Sequence, residues 1–375
     1  MQRREFLKMS SMAAGAALTG CATGRNVAGY TVPADELVRG ALIHLGSNMW
    51  TDVWTSAKPR EPNWDDKVRV DYLRAEDDVW HEVTAAMAKA RMNMVVIDLG
   101  EALEYPSHPE LAVKGTWSVA KMRRELDRLR ALGLEPVPKL NFSTTHNAWM
   151  KEWRHRVSSP EYMRTVRELI RDVAETFGGP RLFHIGFDEE TTGHQRNDCY
   201  QCVVVRRREL WWRDFLETVQ DVRDAGARAW CFSDQFWREP DLFRKLMPKD
   251  VVQCPWNANV DKDHPEWMTS IEEMGAMGFD VIADCATYPA KSVNPSPDGK
   301  GLVYTPIDRS RTDTSVVRMM AKCKACFRPE NLRGFIVCPW MVTHGGVARE
   351  VLLDSIDYAG GKFLDFGRNG SGGAA

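Results

Sequence analysis

Eight short apolar runs recur along this 375-residue chain, and longer stretches of helical periodicity separate them. The runs are Ala41–Leu45, Met94–Leu99, Glu135–Leu140, Leu182–Phe187, Ala227–Phe232, Val251–Cys254, Asp280–Asp284 and Gly334–Cys338. A strand of a parallel sheet is covered on both faces, so it reads as a near-continuous apolar run. Between the runs, Val79, Val83 and Met87 recur every four residues, as do Leu126 and Arg130 beside Met122 and Leu129. Ser159 reads as an N-cap, Pro160 as a first turn, and Gly178-Gly179-Pro180 as a stop. Further helices fit Val205–Asp224, Pro240–Met247, Pro265–Met277, Thr312–Phe327 and Val347–Tyr358. Eight strands alternating with helices predict an α/β fold, a single (β/α)8 TIM barrel over residues 37–366. A doubly wound sheet would carry a glycine-rich phosphate loop after its first strand, and Gly40 and Gly46 do not make one.

The first residues read as an address. Arg3-Arg4 followed by Glu5-Phe6-Leu7-Lys8 looks like the twin-arginine export motif. The apolar stretch Met9–Leu18 is too short to span a bilayer. Leu18-Thr19-Gly20-Cys21 resembles a bacterial lipobox, with Cys21 as the lipidated residue. The expectation is a signal peptide over 1–21, a small polar tether over 22–36 and a glycine-rich tail over 367–375. The mature protein is expected outside the cytoplasm, touching membrane only through its lipid.

With 50 basic and 52 acidic residues, the formal charge of −2 disfavours a nucleic-acid partner. Fourteen Trp against 8 Tyr is the unusual count. Indoles either fill a large core or stack on something flat, and a sugar ring offers such an apolar face.

In a (β/α)8 barrel, chemistry sits at the C-terminal strand ends. There the fourth run ends Phe183-His184-Ile185-Gly186-Phe187-Asp188-Glu189-Glu190. Crowded carboxylates repel, and one kept protonated near neutral pH can serve as a general acid. Asp188 and Glu189 would alternate faces on a regular strand, so a bend near Gly186 must turn both inward.

The pattern H-x-G-x-D-E resembles the catalytic motif of glycoside hydrolase family 20, the β-N-acetylhexosaminidases, and the likeness extends over roughly residues 37–345. Glu104-Tyr105-Pro106, Gly115-Thr116-Trp117-Ser118 and Leu134-Glu135-Pro136-Val137-Pro138 look like that family's second and third units. The resemblance implies Glu189 as acid/base and Asp188 as the group that holds the substrate's acetamido nitrogen, with no cofactor and no protein nucleophile. It further implies Arg39 on sugar hydroxyls, His146 in the third-strand loop, Tyr288 on the acetamido oxygen, and Trp256 and Trp340 in an aromatic wall. Trp230 and Trp237, near the end of the fifth run, extend that platform, and Asp234 is an extra polar contact. Pro138-Lys139-Leu140-Asn141 replaces an acidic pair, His44 stands near a usual Asp, and no Glu follows Trp340. These departures alter the sugar-hydroxyl ligands.

Trp211 and Trp212 lie inside a helix and read as core, whereas Trp50 and Trp54 follow the first run and are placed to line the mouth. His184 lies within the fourth run and reads as structural. Cys231, Cys254, Cys285 and Cys338 sit in the runs as buried apolar residues. Two CxxC pairs remain, Cys199/Cys202 and Cys323/Cys326, open to a four-Cys zinc site, two local disulfides or packing alone. His194 precedes the first pair, which makes Cys199 and Cys202 the weak metal candidate. Three functions stay open: an exported glycosidase acting on a terminal 2-acetamido sugar of a glycan, a non-catalytic carbohydrate-binding lipoprotein, and a hydrolase of another sugar in which Asp188 or Glu190 acts directly.

Overall fold

The computed structural model describes residues 30–49, 69–191, 204–256, 265–285, 287, 293–296 and 301–370. Strands β1 (Val38–His44), β2 (Met94–Asp98), β3 (Glu135–Lys139), β4 (Leu182–His184), β5 (Arg228–Phe232), β6 (Val252–Cys254) and β7 (Val281–Asp284) pair in sequence order, all parallel. After β7 come two three-residue strands, β8 (Val293–Pro295) and β9 (Leu302–Tyr304), which form a separate antiparallel hairpin. Strand β10 (Leu332–Val337) then pairs with β7 and β1 and closes the barrel. All eight anticipated runs therefore become barrel strands.

Alternation along each strand divides the core. Leu42, Val96, Val137, Trp230, Ile282 and Ile336 point into the barrel, while Ile43, Val95, Ile97, Phe183, Ala283 and Val337 face the surrounding helices. The helices follow their caps. Helix Pro160–Phe177 starts where Ser159 accepts a hydrogen bond from Tyr162 N, and it ends at Gly178 with φ of 75°. Helix Arg208–Asp224 buries Trp211 and Trp212 against Phe215, so both are core residues.

The last helix, Val347–Gly370, runs well past Tyr358 and through Gly360-Gly361. Glycine normally weakens a helix interior. Here a Cβ on Gly360 would stand 2.7 Å from the Cβ of Ala90, so the close approach of the two segments requires glycine. None of the described helices is long and apolar enough to cross a membrane.

Candidate active site

Strand β4 stops at His184, three residues short of the apolar run. The chain then turns left-handed at Gly186 (φ 70°), Phe187 (φ 65°) and Glu189 (φ 52°). This supplies the bend that brings Asp188 and Glu189 to one side. Asn141, just past β3, holds the turn. Its Oδ1 accepts from Phe187 N at 3.2 Å and Ser143 N at 3.1 Å, and its Nδ2 donates to Asp188 Oδ1 at 2.7 Å. A Cβ at residue 186 would lie 2.1 Å from Asn141 Oδ1, so both space and φ demand glycine there.

The three consecutive acids receive three environments. Asp188 is buried, with Oδ2 3.2 Å from His146 Nε2. Glu189 keeps its side chain 27% exposed, with Oε2 3.4 Å from the same nitrogen. Glu190 is buried and clasped by Arg206, which donates from Nε to Oε1 and from Nη2 to Oε2, each at 2.9 Å. Arg206 N and Thr144 N donate to it as well. Glu190 is thus tied into the protein by Arg206, which corrects the alternative in which it acts as nucleophile or base.

Burial alone would lower the basicity of His146, but Asp188 and Glu189 outweigh it and lift the imidazole to about 9. Burial would likewise raise Asp188, and the His146 cation outweighs that to hold it below the ordinary carboxylate range. His146, Asp188 and Glu189 each offer one ligand atom, all within 4.8 Å of one another, the one such set among the described residues. With its imidazole protonated, His146 donates to these carboxylates and the three groups can exchange protons as an acid–base cluster.

Indoles flank this cluster. Trp256 Nε1 donates to Asp234 Oδ1 at 2.6 Å, and its ring packs 5.9 Å from Trp237 and 5.7 Å from Trp267. Trp340, itself left-handed at φ 54°, lies 5.7 Å from the His44 ring and 6.0 Å from Phe232. Both Trp256 and Trp340 are half-buried. Beneath Trp340 the barrel interior is polar. His44 Nδ1 is 3.2 Å from Asp98 Oδ2, and Lys139 Nζ donates to the same oxygen. Burial would raise Asp98, but Lys139 and His44 pull it down to about 2. His184 is structural, as anticipated. Its Nδ1 accepts from Gly186 N at 3.1 Å, and burial keeps it neutral with a pKa of about 3.

Three anticipated substrate contacts are corrected. Arg39 sits at the start of β1, the end away from the site, and its guanidinium is spent on Glu36, Arg91 O and Leu37 O. Trp230 points into the barrel below the rim, wholly buried, with its ring 4.8 Å from His184. Asp234 is buried with both oxygens engaged by the protein. Cys323 is buried and Cys326 half-buried in helix Ser315–Cys326. Tyr288, Cys199, Cys202, His194, Trp50, Trp54 and Cys21 lie outside the described residues. The residue the sequence reading undervalued is Asn141, noted there only as a departure. Its signal was a lone amide at the end of a barrel strand.

Fold and site together define a (β/α)8 barrel with paired carboxylates, one bridging histidine and indoles at its C-terminal rim. Solved structures give that architecture its likeness. The chain is similar to the β-N-acetylhexosaminidase of Bacteroides fragilis, with a TM-score of 0.59 and 11% identity over 87% of this chain and 65% of that one. It is similar to the Streptomyces plicatus β-hexosaminidase solved with the product GlcNAc, with a TM-score of 0.56 and 14% identity over 86% and 63% of the two chains. It is also similar to the GH20 β-N-acetylhexosaminidase of Streptomyces coelicolor, with a TM-score of 0.54 and 14% identity over 86% and 63%. The fold is therefore that of the family-20 catalytic barrel, and this chain spans less than two thirds of each of these proteins. No family model matches the sequence, and no curated protein matches it.

Proposed function

We propose that the protein is a glycoside hydrolase of the family-20 kind, removing a terminal 2-acetamido sugar from a glycan by substrate-assisted, retaining hydrolysis. The observation that carries this reading is that Asp188 and Glu189 converge on His146 while differing in exposure, one buried and one open to the mouth. Glu189, facing solvent, protonates the glycosidic oxygen as the bond to the leaving group breaks. Asp188, buried and anionic, accepts the acetamido N–H, so the carbonyl oxygen is turned onto the anomeric carbon. Glu189 then takes a proton from the water that opens the cyclic intermediate, and the configuration is retained.

The His44–Asp98–Lys139 cluster under Trp340 replaces the expected acidic sugar ligands, which favours a terminal sugar or linkage other than the commonest. The leader supports export by the twin-arginine route and lipid attachment at Cys21. Substituting Cys21→Ser and following palmitate incorporation tests that part.

The activity test is release of nitrophenol from aryl N-acetylglucosaminides and N-acetylgalactosaminides, alongside a panel of other aryl glycosides. Turnover lost in Glu189→Gln, with tight binding of a thiazoline inhibitor, is the expected result. Binding of glycans without turnover on any of them would instead make this a carbohydrate-binding lipoprotein. Turnover of a sugar without an acetamido group, insensitive to the thiazoline, would mean a direct carboxylate mechanism.

A further inference from the structure

Glu189 is held in a backbone conformation that side-chain-bearing residues rarely adopt, and such strain persists only where neighbours over-determine it. Its N–H donates to Asp234 Oδ2 at 2.8 Å. The other oxygen of that carboxylate, Oδ1, accepts from Trp256 Nε1 at 2.6 Å. Arg238, one turn further along, also reaches Oδ2, at 3.2 Å. Asp234 itself is 1% exposed, so no ordinary route leads from it to a ligand.

We propose that Asp234 is a positioning residue, whose single carboxylate locks the backbone of the acid Glu189 to the indole of Trp256. The proposal rests on the hydrolase reading for its purpose. A sugar stacked on Trp256 then meets an acid whose distance from the stacking plane is already set. Misplacement of a catalytic group by about 1 Å can cost on the order of 10²-fold in rate. Two donors from two loops, one after β4 and one after β6, meet on one anion that no neutral side chain of the same size replaces. An asparagine offers one oxygen, so its amide N–H₂ must confront either Glu189 N–H or the indole N–H.

The lock is read directly in the ¹⁵N-labelled protein. In Asp234→Ala, the Glu189 amide and the Trp256 indole resonances should both move upfield as each loses a carboxylate acceptor. In Asp234→Asn, at least one of them should move. Either resonance staying in place in Asp234→Ala overturns the proposal. Kinetics on the aryl N-acetylhexosaminide supply the second arm. Asp234→Asn should lower kcat by roughly 10- to 100-fold with KM nearly unchanged, and Trp256→Phe, which keeps a ring but loses the N–H, should lower kcat by a similar factor while its smaller ring also raises KM. The double variant should be no slower than the slower single, because both cut the same link. Fully multiplicative losses, or a kcat within twofold of wild type in Asp234→Asn, would also overturn it. The spectral arm needs no turnover. An inactive wild type would sink the hydrolase reading while the resonances still decide whether the lock exists.

Discussion

Lys139 on β3 donates its ammonium to Asp98 on β2 inside the barrel, where neither side chain is more than 1% exposed. The two are direct register partners across the seam between the strands. Removing one member of a buried pair strands the other charge, at a cost of about 3–5 kcal/mol. Lys139→Met should therefore lower the urea midpoint markedly. Lys139→Met combined with Asp98→Asn should recover much of the loss, because no buried anion is then left with His44 as its one charged neighbour. Chemical denaturation of the two variants checks this.

His146 should be an imidazolium at pH 7.5, visible in its ring ¹⁵N shifts. Its pKa in the folded chain is raised to about 9, above the ordinary histidine value of about 6.5. The stability it contributes is whole below the lower value and is lost as pH rises through the upper one. Wild type should therefore lose on the order of 2–3 kcal/mol relative to His146→Gln between about pH 6.5 and 9. Parallel stability–pH curves for the two proteins would contradict it.

Asp284 gives a second assay of the same sign over a lower pH range. It is buried at the end of β7, and burial pushes its carboxyl up to about 8. A carboxyl raised in the folded state contributes fully below the unfolded pKa of about 4, and its contribution fades as pH climbs towards 8. Asp284→Asn should match wild type near pH 4 and exceed it by a few kcal/mol at pH 8. Thermal melts at the two pH values report the difference.

Gly186→Ala places a methyl 2.1 Å from Asn141 Oδ1 at a φ of 70°. Something must shift, and Asn141 is the group that orients Asp188. We expect a loss of about 2 kcal/mol or more and a fall in kcat larger than that for Asn141→Ser. A kcat equal to wild type would show that the turn does not set the position of the acids.

Much of the barrel was legible because each of its strands is buried on both faces, which leaves a continuous apolar run such as Met94–Asp98. The β8–β9 hairpin was not, because three-residue strands bordered by Pro, Ser and Gly carry no periodicity of their own. The extension of the last helix through Gly360 was hidden too, since the contact with Ala90 that requires glycine exists only in three dimensions. At the site, the acids stood in the motif and His146 came from the family resemblance, but depth could not be read from either. Trp230 and Phe232 share a strand face and both are buried in the barrel interior. Arg39 lies at the wrong end of β1, which strand polarity alone would have told. The pairing of Lys139 with Asp98 needs the register between β2 and β3, which no local pattern carries.

Asp188, Glu189 and Glu190 stand side by side in the chain, yet one faces an amide and an imidazole, the next opens to the mouth, and the third is fastened to Arg206. A deletion or insertion of a single residue within this run would hand each acid its neighbour's post, putting the carboxylate tied to Arg206 where the partly exposed one stands. Length should therefore be fixed in this short segment, whereas positions that touch none of the three acids carry no such constraint.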